Sequence, residues 1–378
     1  MKKLLIVIHS LSGGGAERVV TRLLSYLDTH CPGVELHLAL LKPQIDYELP
    51  AGVNLHVLGK ARKGFVTKAM EQSRVFKNLK RLMSGLRPDV TLSFMPTANY
   101  YCLKAKKQLG GAPKVVVSER VAFESNYRGL KRATLKRIIR KNYPMAAKVI
   151  CVAQGVKNEL VALGLPDYLC KVIPNSVDEN ELLKKAEARA PHKWAEETAT
   201  HPLIVTAGRL TEQKGHDVLI AALGLLAKKD IKPRAMIFGT GPLKAQLESQ
   251  IAELGLGEQV KLMGFNPNPY PELKRASLFV FPSRFEGFPN ALLEAMALGV
   301  PSIATDCPYG PRELIGDGEY GCLVPMNDPA HLAESIEEGL AAVSTPAGRE
   351  TFGKMSRAGA SRYSIDHMVN NYLHALFD

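Results

Sequence analysis

The sequence predicts an α/β fold of two parallel-sheet domains, and three observations carry that reading. Short apolar runs such as Lys3–His9, Leu203–Ala207 and Leu278–Phe281 alternate with stretches of helical length along most of the chain, the βα pattern of a parallel sheet. Glycine-containing loops follow several of these runs, at 13–15, 208–215, 239–241 and 286–287, and a helix that starts behind such a loop offers unpaired N–H groups to an anion. The length, 378 residues with 46% hydrophobic residues, suits two domains.

In the first half, strand Lys3–His9, loop Ser10–Gly15, helix Ala16–Leu27 and strand Val34–Leu41 make the opening unit. A dinucleotide site would want G-x-G-x-x-G and an acid ending the second strand. Here the third glycine position is Arg18, and Leu41-Lys42-Pro43 closes the strand, so a dehydrogenase is disfavoured. Strand Val53–Leu58, a basic amphipathic helix Phe65–Leu86, strand Asp89–Phe94, helix Tyr100–Leu109 and strand Lys114–Ser118 follow. The last runs into Ser118-Glu119-Arg120, and residues just past parallel strands line the crevice of such folds. Strand Val149–Val152, helix Gln154–Leu163 and strand Lys171–Ile173 lead to Pro174-Asn175-Ser176-Val177-Asp178.

The second half opens with strand Leu203–Ala207, the loop Gly208-Arg209-Leu210-Thr211-Glu212-Gln213-Lys214-Gly215 and helix His216–Ala227. Two cations, Arg209 and Lys214, at a strand-to-helix junction suit a diphosphate, whose departing charge they would neutralise. Strand Arg234–Phe238 runs into Gly239-Thr240-Gly241-Pro242, and strand Val260–Met263 into Gly264-Phe265-Asn266. Strand Leu278–Phe281 then meets a loop with Glu286 and Gly287, helix Ala291–Leu298 and strand Val300–Thr305. Pro289 suits a first helical turn, and the amides of residues 288–291 would form an anion site. Two carboxylates, Glu286 and Glu294, flank it. They serve a bound phosphate poorly, and they serve well as acceptors for the hydroxyls of a sugar and a ribose attached to it. The prolines and glycine of Asp306–Glu313 suggest a rigid loop, and Ile365–Phe377 reads as an amphipathic helix.

E-G-F-P-N-A-L-L-E resembles the E-x7-E motif of family-four retaining glycosyltransferases, which share the two-domain GT-B fold. G-R-L-x-x-x-K-G, P-N-S-V-D and G-G-A-E extend the resemblance over nearly the whole chain, with Ser176 replacing a usual glycine and Gly13 added. The resemblance implies two Rossmann-like domains facing across a cleft, with the C-terminal helix crossing back to the first. It divides the chain into an acceptor-side domain 1–178, a connection 179–201, a donor-nucleotide domain 202–361 and a returning helix 362–378. Arg209 and Lys214 would hold the diphosphate, Glu286 would orient the donor sugar and Glu294 would hold the ribose. Gly287, Phe288, Pro289, Asn290 and Ala291, with Gly14, Gly15 and Glu17, would embrace the phosphates. Gly239 and Gly241 would form the nucleotide-side loop, and the backbone of Gly264 and Phe265 would hold the base. Relatives place a pocket His after the fifth strand, where this chain has none. Ser118, Glu119 or Arg120 would replace it, or Glu119 and Arg120 form a structural pair.

The reaction so implied is retaining transfer of a hexose or N-acetylhexosamine from a nucleotide sugar, with no metal and no other cofactor. S-G-G-G-A-E, S-E-R and D-C-P-Y-G-P-R-E look most like bacterial enzymes extending lipid-linked oligosaccharides. UDP-N-acetylgalactosamine is the first choice of donor, and a polyprenyl-diphosphate-linked glycan the expected acceptor. A nucleotide-sugar epimerase on the same fold and a non-catalytic membrane-surface binding protein are the rivals. D-x-D, G-x-x-x-x-G-K-S/T, H-E-x-x-H and G-x-S-x-G are missing, so kinase, metalloprotease and serine hydrolase are unsupported.

The charge of +12 is uneven. Residues 1–180 hold 29 Lys and Arg against 13 Asp and Glu, the rest 20 against 24. Lys60–Arg81 and Arg128–Lys148 carry much of the excess. They read either as a solvated face or as a surface for anionic lipid, where each basic residue is worth about 1 kcal/mol. They contain few aromatics for stacking and match no nucleic-acid module. The six cysteines are scattered with no C-x-x-C, so reduced thiols are expected. No apolar run approaches the roughly 18 residues of a spanning helix, and Leu4–Ile8 is short for a signal peptide. The expected place is the cytoplasm, against the inner face of the cell membrane.

Overall fold

The structure is a computed structural model and describes residues 1–12, 14–60, 68–127, 129–190, 192–198 and 201–378. Gly13, Arg128 and the start of the expected helix Phe65–Leu86 lie outside the described residues, as does part of the Lys60–Arg81 basic stretch. The chain forms two units, Met1–Asn175 with Asp366–Asp378, and Ser176–Ile365. The expected boundaries fall after residues 178 and 361.

The first unit is a seven-stranded parallel sheet of β1 (Lys2–Ile8), β2 (Val34–Leu40), β3 (Val53–Val57), β4 (Val90–Phe94), β5 (Val115–Glu119), β6 (Lys148–Cys151) and β7 (Cys170–Val172), in the order β3-β2-β1-β4-β5-β6-β7. Every residue of β4 and β5 is buried, as expected for central strands covered by helices on both faces. β3 is an edge strand and exposes Leu55 and Val57. The helix Ile365–Phe377 belongs to this unit from Asp366 onward. Its Tyr372 is fully buried with its ring 6.3 Å from that of Phe94, and the Tyr26 hydroxyl donates to Asp366 at 2.7 Å.

The second unit is a six-stranded parallel sheet of β8 (Leu203–Ala207), β9 (Arg234–Phe238), β10 (Val260–Gly264), β11 (Leu278–Phe281), β12 (Ser302–Thr305) and β13 (Cys322–Val324), in the order β10-β9-β8-β11-β12-β13. Ile204, Ile237, Val280 and Ile303 from its strands pack with Leu219, Leu223 and Ile336 from the flanking helices. Residues 179–201, read as a connection, belong to this unit. They contain the helix Glu179–Ala186, capped by the Asp178 carboxylate, which accepts from the Glu181 N–H at 3.0 Å. They also bury Trp194 beneath Lys261 and Arg234.

Two local readings change, and one helix is added to those the sequence placed. The basic stretch after Arg128 forms a helix, Gly129–Asn142, in which only Ile139 is buried. The 306–313 segment is not loop throughout, because Pro311 starts a short helix, Pro311–Ile315, with its fixed φ. Pro289 precedes the helix Asn290–Ala297 as its N-cap rather than occupying the first turn. Ser176 is not among the residues with positive φ, so it replaces the usual glycine without backbone strain.

Candidate active site

In each sheet the chain leaves a central strand in one direction and later returns on its other side. The second sheet reverses between β8 and β11, and ligands of such folds bind outside the carboxyl ends of the strands at that point. The loops that carry Arg209, Lys214 and Glu286 follow β8 and β11. The topology therefore brings together residues that lie 72 apart in sequence.

Lys214 closes a tight turn, Glu212–Lys214, and Gly215 ends it at φ 63°. A Cβ at Gly215 would run into the Pro282 carbonyl of the β11 loop, so the glycine lets the two loops touch. The Lys214 stem lies against Gly208, and its Nζ is 2.6 Å from Glu286 Oε1 and 5.2 Å from the Phe281 ring centre. Only 16% of the Lys214 side chain and 8% of the Glu286 side chain are exposed, so the pair is largely withdrawn from solvent screening. The Glu286 backbone is fixed as well: its N–H donates to the Pro308 carbonyl at 2.6 Å, and its carbonyl accepts from Tyr309 at 3.1 Å. Arg209 is exposed and reaches Gln213 Oε1 at 3.5 Å.

The helix His216–Lys228 begins directly behind this turn. Burial pushes His216 down to about 4, so its ring is neutral at pH 7. Gly239, at φ 141°, passes so close that a Cβ would meet the Gly208 carbonyl. Its N–H donates to the Gly264 carbonyl at 2.8 Å, and Gly241 lies against the backbone of Leu210. Gly239, Gly241 and Gly264 thus stand beside the Arg209 loop. The Phe265 side chain is 70% exposed. Gly287, Phe288 and Pro289 are buried, with Phe288 edge-on to Tyr363 at 5.2 Å. Asn290 and Ala291 open the helix Asn290–Ala297, and Glu294 is buried one turn further. Cys307, beside Glu286, is pushed up to about 12 by burial and by that carboxylate, which makes it an inert thiol. Arg312 pairs with Asp306 and Asp317.

In the first unit, Gly14 caps the helix Gly15–His30, and its carbonyl accepts from the Tyr47 hydroxyl at 3.3 Å. The Glu17 carboxylate lies against Gly14 in that helix's first turn. Ser118 is buried, and its hydroxyl has no hydrogen-bond partner among the described residues. Glu119 and Arg120 take separate partners. Glu119 accepts from Asn99 Nδ2 at 2.8 Å and from the Tyr143 hydroxyl, and Ser93 donates to Asn99 Oδ1 at 2.8 Å. Burial raises Glu119 to about 7, against the pull of these donors and of Arg120. Arg120 is itself buried, donating to Tyr372 at 3.2 Å and to Asn175. Its guanidinium fastens the C-terminal helix to the sheet. Asn99, Tyr143 and Arg284 were not singled out from the sequence. Each acts through a residue distant along the chain, so spacing carries no sign of it.

Among the described residues no three His, Cys, Asp or Glu side chains gather as a metal site, and no helix is long and apolar enough to cross a membrane.

The family description "Glycosyltransferase Family 4" matches residues 13–181, and "Glycosyl transferases group 1" matches residues 187–353. A Campylobacter jejuni protein is 32% identical over 345 residues, covering 89% of this chain and 90% of its own. It is an N-acetylgalactosamine-N,N'-diacetylbacillosaminyl-diphospho-undecaprenol 4-alpha-N-acetylgalactosaminyltransferase. Anabaena HepE in complex with UDP superposes with a TM-score of 0.77 at 19% identity, covering 99% of both chains. Sucrose-phosphate synthase from Thermosynechococcus elongatus gives 0.80 at 17% identity, covering 99% of this chain and 98% of that one. With both halves matched in order and a relative aligned over nearly its full length, this chain belongs to glycosyltransferase family 4 and has its GT-B fold.

Proposed function

We propose that the chain is a retaining, metal-independent glycosyltransferase that moves N-acetylgalactosamine from UDP to a polyprenyl-diphosphate-linked glycan. The observation that carries this reading is the Lys214–Glu286 pair at 2.6 Å, at the carboxyl ends of β8 and β11. One end of it is a cation for a phosphate and the other a carboxylate for a sugar hydroxyl, so a sugar joined to a diphosphate matches both. The C. jejuni relative's name supplies the lipid-linked acceptor, the N-acetylgalactosamine and an alpha linkage, which from an α-configured nucleotide sugar is retention.

In the reaction, Arg209 and Lys214 take up charge on the β-phosphate as the C1–oxygen bond to UDP breaks. The acceptor hydroxyl oxygen bonds to C1 on the same face, and its proton passes to the departing phosphate oxygen. Glu286 holds the sugar's hydroxyls and Glu294 those of the ribose. No side-chain base is required. Double displacement would need a nucleophilic carboxylate on the far face of the sugar, and none is assigned. The first unit's exposed cations, Lys131, Arg137, Arg140 and Lys141 on the helix Gly129–Asn142, would keep the enzyme on the anionic inner membrane surface where such an acceptor lies.

The test is UDP release from a panel of UDP- and GDP-sugars with EDTA present, with and without a polyprenyl-linked glycan. Acceptor-dependent release from UDP-N-acetylgalactosamine, lost in Glu294→Ala, is expected. Turnover without acceptor would favour an epimerase-type enzyme, and no turnover or binding of any nucleotide sugar would refute a transferase.

A further inference from the structure

The geometry points to Arg284 as the positioning residue that sets Lys214 against Glu286 and cancels a carboxylate beside the proposed diphosphate site. Arg284 lies in the loop after β11, two residues before Glu286. Its guanidinium reaches into the β8 loop and holds the Lys214 turn from both flanks. On one flank Nη1 donates to the Glu212 carbonyl at 2.6 Å. On the other, Nη1 and Nη2 donate to Asp217 Oδ1 and Oδ2 at 2.9 and 2.7 Å. Nε donates to Asn327 Oδ1 at 2.6 Å, which braces the guanidinium from a third segment. The backbones are stitched in parallel. The Arg284 N–H donates to the Gln213 carbonyl at 2.7 Å, and the Gln213 side-chain amide donates to the Phe285 carbonyl at 2.9 Å. Lys214 and Glu286 are the next residues along these two stitched segments. Lysine has the charge but not the planar fork these contacts need.

The second effect is electrostatic. Asp217 stands in the first turn of the helix His216–Lys228, the end whose amides and partial positive charge favour an anion. An unpaired carboxylate there would repel a diphosphate. Burial alone would push the Asp217 carboxyl up, but Arg284's hydrogen bonds and charge, with the amides of Asp217 and Val218, outweigh it and hold the group below its ordinary range. The contacts with Asp217 hold Arg284 above its own. Asp217 is thus tied into an ion pair and does not confront the donor's phosphates.

This inference rests on the nucleotide-sugar reading, and the test separates the two. UDP affinity by calorimetry and kcat and KM for the donor are measured for the wild type, Arg284→Gln, Arg284→Lys and Arg284→Gln/Asp217→Asn. Arg284→Gln should weaken UDP about tenfold and lower kcat by a similar factor. Removing the uncovered carboxylate in the double variant should restore UDP affinity but not kcat. Arg284→Lys should keep most of the affinity and lose kcat. A merely structural role would lower the active fraction without this split. A ligand-free arm uses the coupling between Lys214→Met and Glu286→Gln in unfolding. It should be about tenfold or more in the wild type and fall to within twofold of none in the Arg284→Gln background. If the wild type binds no UDP yet the coupling collapses, positioning stands and the donor reading fails. If UDP binds, and affinity, kcat and coupling all stay within twofold in Arg284→Gln, the inference is overturned.

Discussion

Glu119→Gln should free the first unit's stability from a dependence on pH between 5 and 8. The carboxyl is only 4% exposed and rises from 4.5 to about 7 in the folded chain. The folded state therefore binds its proton more tightly than the unfolded chain does, and between these values it carries more protons. Stability from this group is fully present below pH 4.5 and is lost as pH climbs through 7. Each tenfold in proton affinity is worth about 1.4 kcal/mol, so the linkage between pH 5 and pH 8 amounts to about 2–3 kcal/mol. Glutamine keeps the oxygen that accepts from Asn99 and Tyr143 and never ionises. Relative to wild type, the variant should gain about 2–3 kcal/mol on going from pH 5 to pH 8, or about 1 M in urea midpoint for a slope of about 2 kcal/mol/M. Urea-dependent hydrogen exchange of peptides covering β5 and β6 reads the effect where it arises, with β8 and β9 as the control. A difference between variant and wild type that is the same at both pH values would refute the assignment of the raised carboxyl to Glu119.

Lys214→Met should cost the second unit about 3 kcal/mol, because it strands the Glu286 carboxylate in a largely buried site, and should lower kcat by about a hundredfold. Urea unfolding followed by Trp194 fluorescence checks the first figure, and Glu286→Gln in the same chain should recover most of the stability but none of the turnover. Partition to anionic vesicles should fall steeply with salt, and Arg137→Glu/Lys141→Glu should abolish it; salt-insensitive partition in sedimentation would remove the membrane from the reading.

Much of the fold was legible because its strands are apolar runs bounded by glycines. Leu203–Ala207, Arg234–Phe238 and Leu278–Phe281 fall where periodicity places them, as does the helix Ile365–Phe377. The helix Gly129–Asn142 was not legible. Its apolar positions, Leu130, Leu135, Ile138 and Ile139, are interleaved with Lys131, Arg132, Lys136, Arg137, Arg140 and Lys141, so the basic run and not the periodicity stood out. The candidate site divides in the same way. Arg209, Lys214, Glu286 and the glycines could be singled out because each stands in a short glycine-containing loop between a strand and a helix. Arg284 and Arg120 answer to partners elsewhere in the chain. The first reaches Asp217, 67 residues away, and the second Tyr372, 252 residues away. Only the strand order that sets β8 beside β11, and the final helix against β4, decides what each guanidinium meets. That order also explains why Arg120, read as a crevice candidate at the end of its strand, is a buried fastener. Its strand lies inside the sheet, so a cation at its end is buried in the unit and needs acceptors there, which the Tyr372 hydroxyl and the Asn175 amide oxygen supply.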